Sequence, residues 1–421
     1  MTLRAGVVIC AVALILLSGW RMGMPTAGAN SDKYIEVAEG HAAEVARPFS
    51  SRVLHPWTAM ALMRPGLSLE NAFTAVAWAA LGVLVACTAR TVFGFGGVRW
   101  AWPLLLWCPI LVEYFRAAYM PDLFHAALLA GMWLALMRAE PLVYPILMAL
   151  LLCRESSVLA VVVVTVYFVW RQRYWQAAGA VVAGVLGMAL VGLLAPAGSR
   201  NIHHFSTGSY IALKSVWNFL SNWLGLRLWQ PTFAVQATFP WSCPDPLLTA
   251  RLPGFSSPLV VCDWHPETIV ETWTNFFGVM SLSCAFLAAG WRALYAGRVE
   301  RRWQVALSIG VYGLLAGVVG TFTGTATYRL VGYGWPLLWI AVPVLFLTVF
   351  RDAHPAWLWL HWAGQWAWVL VSRAGTGCRV LFCLGVIGLN VWAWRRLRMV
   401  ARNPEMALSD AREIAEMVTH K

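Results

Sequence analysis

The chain has 421 residues, of which 60% are hydrophobic and only 12% charged, and its net charge is +12. Soluble globular chains carry about 25% charged residues; with a mean hydropathy of +0.65, an ordinary soluble domain is excluded. Most cations lie in short segments beside apolar runs, which marks them as topology determinants and argues against nucleic acid as a partner.

The apolar runs are continuous, roughly 17–22 residues long, and recur from end to end, as spanning helices require. They do not alternate, which argues against a barrel. The expectation is an all-α polytopic transmembrane bundle of about ten to twelve spans over residues 1–399, with a cytosolic tail over 400–421. The first run, Val7 to Trp20, follows Arg4 and lacks a clear small-residue cleavage site, so it reads as an uncleaved first helix.

A polar stretch follows over 21–70. Within it Ser31 to Ala46 fits an amphipathic helix, with Ile35, Ala38, Ala42 and Val45 on one stripe and Pro48 as its stop. Asp32 in that helix suits either an N-cap or a chemical role. Arg52 and His55 suit either lipid headgroups or a site. Spans are expected over Asn71–Cys87, Trp100–Tyr114 and a run ending at Leu136, with Asp122 opening the third after Pro121. Two short runs, Leu142–Cys153 and Ser156–Trp170, flank the charged pair Arg154-Glu155 and read as two half-depth helices that dip and return. Ionisable groups at membrane depth usually face a cavity or pair across helices.

A span over Trp175–Leu194 leads into the longest polar segment, 196–275, which holds many Pro, Trp and Asn and no span-length apolar run. Further spans are expected over Phe276–Leu294, Val305–Thr321, Leu330–Phe350 and Thr376–Trp394, with the Trp-rich run Trp357–Val371 as a short span or an interfacial helix. With Arg4 inside, the positive-inside rule places the basic helix ends in the cytosol. It places segments 21–70 and 196–275, the turn at 113–122, the Arg154-Glu155 break and the turn at 321–329 on the other face. Both termini are then cytosolic, in a multi-pass protein of a bacterial inner membrane.

Most of the nine Cys sit in apolar runs and act as small hydrophobes. Cys243 and Cys262 lie in the polar segment and are expected to form a disulfide, which an oxidising periplasm permits, the alternative being two thiols packed apart. His203-His204 and the Cys262/His265 neighbourhood have no further ligands at convincing spacing, so no metal site is expected. No phosphate-binding loop, dinucleotide fingerprint, nucleophile elbow or HExxH is present.

The layout resembles the C-type integral-membrane glycosyltransferases. The resemblance rests on Asp32-Lys33-Tyr34, Arg47-Pro48-Phe49 and Arg52-Val53-Leu54-His55-Pro56 after the first helix, and on Asp122 in a later outer turn. Arg154-Glu155 between short helices and Tyr328-Arg329 at the outer end of a late helix complete it. Two departures stand out: Asp32 is followed by Lys33 where many members carry paired acids, and the large C-terminal soluble domain that some members carry is not expected from the short polar stretch 400–421. The resemblance implies transfer of a sugar from a polyprenyl-phosphate donor in the membrane lipid to a glycan, lipid or protein acceptor in the cell envelope. Asp32 would serve as base, with Asp122 as the second acid. Arg52, His55, Arg154, Glu155, Tyr328 and Arg329 would bind substrate and phosphate. Trp217, Trp223, Trp229 and Trp241 offer flat faces to sugar rings. No cofactor is implied, and a divalent cation is left open. A transporter or flippase, or a polysaccharide polymerase, would use some of the same intramembrane charges.

Overall fold

The computed structural model describes residues 30–45, 49–94, 109–138, 141–194, 207–229, 243, 245–251, 259–295, 301–323, 327–350, 353–354 and 356–400. The expected first helix at 7–20, the residues Arg47 and Pro48, the pair His203-His204 and the tail after residue 400 lie outside them.

The described chain is mostly helical. Helix α1 (Ser31–Ala38), a 3-10 turn (Phe49–Ser51) and α2 (Leu54–Met63) precede the long α3 (Leu69–Gly94). Then come α4 (Pro109–Arg116), α5 (Asp122–Arg138), α6 (Val143–Cys153), a 3-10 turn (Glu155–Ser157), α7 (Val158–Trp170) and α8 (Tyr174–Leu194). By length and composition five helical stretches can cross a membrane: Leu69–Val92, Tyr174–Leu194, Gln304–Phe322, Thr327–Phe346 and Thr376–Arg398. The bent pair Pro266–Met280 and Ser283–Ala293 makes a sixth if it crosses as one. This is the layout of a multi-pass membrane protein; the described residues do not reach the expected ten to twelve spans.

The amphipathic helix of the first polar stretch is shorter than expected. It ends at Ala38, where Glu39 and Gly40 close the turn and Gly40 adopts φ +98°, a left-handed conformation glycine tolerates at little steric cost. Its buried residues are Ser31, Tyr34, Val37 and Ala38. Asp32 is not the N-cap: that position is Asn30, and Asp32 sits in the first turn, where a carboxylate still favours the helix dipole.

The glycines of α8 fix the path of the two short helices. A Cβ on Gly179 would meet Tyr144, and one on Gly187 would meet Met148 and Leu151, so α6 runs parallel to α8. A Cβ on Gly184 would meet Val161, and Arg173 bonds back to Phe168 at the tight turn into α8, so α7 runs antiparallel to it. The two therefore rise and return on α8, with Arg154-Glu155 at the apex near the C-terminal end of that helix. The opposite end is tied to the next part of the bundle by Arg171, which donates to Gln304.

The described residues of the segment 196–275 hold regular structure that its composition did not suggest. It contains α9 (Thr207–Leu224) and three short strands, β1 (Leu226–Trp229), β2 (Leu248–Ala250) and β3 (Leu259–Trp264). The strands form an antiparallel sheet in the order β1-β3-β2, with Leu226 opposite Trp264 and Leu248 opposite Val261. Cys243 and Cys262 are joined by a disulfide, with Cα atoms 5.5 Å apart. The sheet is a local departure from the all-α expectation. Helix α10 (Pro266–Met280) starts ten residues before the expected Phe276 because Pro266 opens it at N1.

After α10 the chain turns through Ser281 (φ +44°) into α11 (Ser283–Tyr295), so the single expected span Phe276–Leu294 is two helices bent by 56°. Helices α12 (Arg301–Thr323), α13 (Thr327–Val331), a 3-10 turn (Gly332–Gly334), α14 (Trp335–Thr348), α15 (Ala356–Val371) and α16 (Thr376–Val400) complete the bundle. The last carbonyls of α12 have no partner within their own helix. Asn222 donates to Thr321 O (2.6 Å) and Asn218 to Phe322 O (3.0 Å), so α9 closes that end.

Candidate functional site

Five ionisable residues from four distant segments meet at the apex of the α6–α7 hairpin. Arg52 follows the 3-10 turn after α1, Asp122 opens α5, Arg154 and Glu155 form the apex, and Arg329 lies on α13. Arg52 grips Glu155 with two donors, Nε to Oε2 at 2.8 Å and Nη2 to Oε1. Its Nη1 donates to the Tyr34 hydroxyl at 3.0 Å. A bidentate guanidinium–carboxylate pair fixes orientation as well as charge. Burial opposes the charge on Arg52, but Glu155 and Tyr34 outweigh it and raise its pKa well above the ordinary value.

Arg154 donates to Asp122 Oδ1 at 2.6 Å, and Arg329 Nε lies 3.5 Å from Oδ2 of the same carboxylate. Arg154 also stacks over the Tyr333 ring, 4.0 Å from its centroid. Three guanidinium groups thus face two carboxylates, leaving one positive charge in surplus. The side chains of Asp122 and Arg154 are 0% and 5% exposed, whereas Glu155 and Arg329 are 34% and 21% exposed. Glu155 and Arg329 are therefore the members of the network that a ligand can reach most easily.

Asp32 is exposed and has no hydrogen bond or ion pair among the described residues, while Tyr34, two residues on, is buried against Arg52. Lys33 rests on the Phe49 ring at 4.5 Å, and Arg52 lies over the same ring at 5.5 Å. Tyr328 is exposed beside Arg329. Among the expected site residues, the network brings together Arg52, Asp122, Arg154, Glu155 and Arg329. His55 does not join it: it is buried between Phe73 and Phe124, with ring centroids 5.3 and 5.7 Å away. Burial lowers its pKa to about 4 against a smaller opposing pull from Asp122.

The consequence of burying His55 has a definite sign. A histidine at about 6.5 when unfolded and about 4 when folded binds more protons unfolded, so its contribution is fully present above pH 6.5 and is lost as pH falls toward 4. Thermal stability of the purified protein should drop between pH 6.5 and 4, and His55→Gln should flatten that part of the profile. An identical slope in the variant would assign the acid sensitivity elsewhere.

The site also uses residues that sequence reasoning did not single out for it. Tyr114 donates to the backbone carbonyl of Arg329 at 3.1 Å. The Tyr333 hydroxyl lies beside Asp122 and Arg329. Ser157 donates to Leu150 O (3.0 Å) and pairs with His125 Nε2 (2.9 Å), which braces the apex from beneath. Backbone contact between α12 and the 330–334 segment is possible only because small residues face each other: a Cβ on Gly334 would lie 1.9 Å from Gly313 O, and one on Gly320 would lie 2.2 Å from Leu330 O. The spacing Gly313, Gly317, Gly320 in an apolar helix was a signal of such close approach.

Of the Trp residues offered to sugars, Trp223 donates to Thr321 Oγ1 at 2.7 Å and Trp217 packs against Val261. Both serve the junction of α9 with its neighbours; Trp241 lies outside the described residues. Cys262 is held in the disulfide and His265 pairs with Asp263 at 3.2 Å. Among the described residues no group of three or more His, Cys, Asp and Glu is placed to hold a metal.

Fold and site together define a mostly helical multi-pass membrane protein with a buried arginine–carboxylate network opening on Arg329 and Glu155. No protein-family model matches the chain, and no curated protein matches it.

Proposed function

We propose that the chain is a membrane glycosyltransferase that moves a sugar from a polyprenyl-phosphate donor to an acceptor at the periplasmic face of a bacterial inner membrane, with both termini cytosolic. The observation that carries the reading is the surplus positive charge of the Arg52, Arg154 and Arg329 network among the described residues, bonded through Tyr34 to the short helix that carries the exposed Asp32. A buried surplus charge is costly unless an anion joins it, and a lipid phosphate supplies one from the bilayer side.

The roles follow from exposure. Arg329 meets the donor phosphate, and the more buried Arg52 and Arg154 act as a fixed positive background that needs little reorganisation. Asp32 takes the proton of the acceptor hydroxyl as its oxygen attacks the sugar carbon. The sugar–oxygen bond to phosphate breaks, and the leaving phosphate keeps the electron pair beside Arg329. Asp122 faces guanidinium groups with both oxygens, which suits a positioning residue and not the second catalytic acid suggested by the resemblance. Tyr328 and Glu155 line the approach.

A transporter or flippase would share the bent pair α10–α11, since broken helices mark many transport sites. Here the break is closed by side chains. Asn390 donates to Ser281 O (2.7 Å) and accepts from Ala285 N (3.0 Å), His361 Nδ1 accepts from Leu282 N (3.2 Å), and Gln365 donates to Val279 O (3.2 Å). That favours a rigid scaffold. Membranes containing the chain, incubated with a panel of labelled polyprenyl-phosphate sugars, should transfer label to an acceptor; retention of all label on the donors across the panel would overturn the reading.

A further inference from the structure

We propose that Asn275 is a positioning residue for Arg329, acting through Thr327, and this rests on reading Arg329 as the group that meets the donor phosphate. Thr327 is the first residue of α13 and lies two positions before Arg329. Asn275 on α10 donates through Nδ2 to Thr327 Oγ1 at 2.8 Å. Its Oδ1 accepts from Trp368 Nε1 on α15 at 3.0 Å. Trp368 in turn lies over Gly278, one turn after Asn275, where a Cβ would come 2.2 Å from the ring. Asn275, Thr327 and Trp368 are all buried.

The short helix that carries Arg329 is thus held from two sides. Tyr114 bonds the Arg329 carbonyl on one, and the Trp368–Asn275–Thr327 chain holds the start of the helix on the other. Arg329 lies in the first turn of the helical stretch Thr327–Phe346, where the leading N–H groups have no intrahelical partner, and the 3-10 turn Gly332–Gly334 separates that turn from α14. The placement of the guanidinium against Asp122 therefore depends on these outside bonds. Both polar ends of the Asn275 amide are used, so neither Asp nor Leu reproduces it; a buried donor or acceptor would be left unpaired.

The decisive comparison is Thr327→Val, which keeps the shape and removes the hydroxyl, against Thr327→Ser, which keeps the hydroxyl. Full-length purified protein is treated with phenylglyoxal, and modification of Arg329 is quantified by mass spectrometry relative to the exposed Arg395. Thr327→Val and Asn275→Leu should raise Arg329 labelling about three- to tenfold, the size of one lost neutral hydrogen bond, and Thr327→Ser should return it to the wild-type rate. In the transfer assay Thr327→Val should raise KM for the lipid-phosphate donor by a similar factor and change kcat less. Wild-type labelling in a folded Thr327→Val protein would overturn the proposal, and if Asn275→Leu does not fold the Thr327 pair still decides it. Should the wild type transfer no sugar at all, the glycosyltransferase reading falls while the labelling ratio continues to judge the positioning role.

Discussion

Asp32→Asn is expected to lower sugar transfer by about 100- to 10,000-fold, the range lost when a general base is removed, with expression and thermal stability unchanged. Stability should hold because Asp32 is exposed and has no described partner to leave behind. Asn keeps the size and the local hydrogen-bonding capacity in the first turn of α1, so the helix survives. What Asn lacks is a site that takes a proton at neutral pH. Parallel rate measurements on wild type and variant, with melting curves on the same preparations, make the test. Full activity in a stable Asp32→Asn protein would remove the base from the mechanism and leave Asp32 as a residue that only complements the helix dipole.

The largest stability effect is expected at the buried Asp122–Arg154 pair. Asp122→Leu should destabilise the protein by about 3–5 kcal/mol, because removing one partner of a buried ion pair leaves uncompensated charge behind. Here two guanidinium groups, Arg154 and Arg329, would lose their shared carboxylate. The double variant Asp122→Leu/Arg154→Met should recover most of that loss, since replacing a buried pair by apolar groups of similar volume is often neutral. Unfolding in detergent for the four members of the cycle measures the coupling. If the double variant is as unstable as Asp122→Leu alone, Arg329 and not Arg154 carries the dependence on Asp122. Loss of transfer in the stable double variant would then report on arginine placement, apart from folding.

Much of the bundle was legible because a bilayer imposes one local rule: backbone polar groups must bond within the segment. Continuous apolar runs therefore marked both ends of α8 and α12 and the starts of α3 and α16 to within four residues, while α3 runs on past the expected Cys87 to Gly94 and α16 past Trp394 to Val400. The charge rule also gathered Arg52, Asp122, Glu155 and Arg329 onto one face before any geometry was known. Segment 196–275 was harder. Helix α9 is amphipathic because it packs on α12 and the sheet at once, and its Asn218 and Asn222, four residues apart, carry meaning only once the carbonyl end of α12 lies opposite. The strands are three to six residues long, and β1 pairs with a strand that begins thirty positions further on (Trp229 to Leu259) while β2 pairs with the same strand from nine positions away (Ala250 to Leu259); each is too short for a period to stand out.

The amino-acid sequence by itself determined the helical, membrane-embedded character of the protein, the apex at Arg154-Glu155, and the set of charged residues able to share a face. Those properties are local: apolar length, charge at run ends, and Pro or Gly at turns. Only the tertiary structure decided that Arg52 pairs with Glu155 and Arg154 with Asp122, that His55 turns into an aromatic core, that Tyr34 bonds Arg52 and Tyr114 the Arg329 carbonyl, and that the Tyr333 ring lies under Arg154. Several partners were chemically equivalent on paper. What separates them is which side chains the close packing of α8, α12 and α13 brings within hydrogen-bond reach.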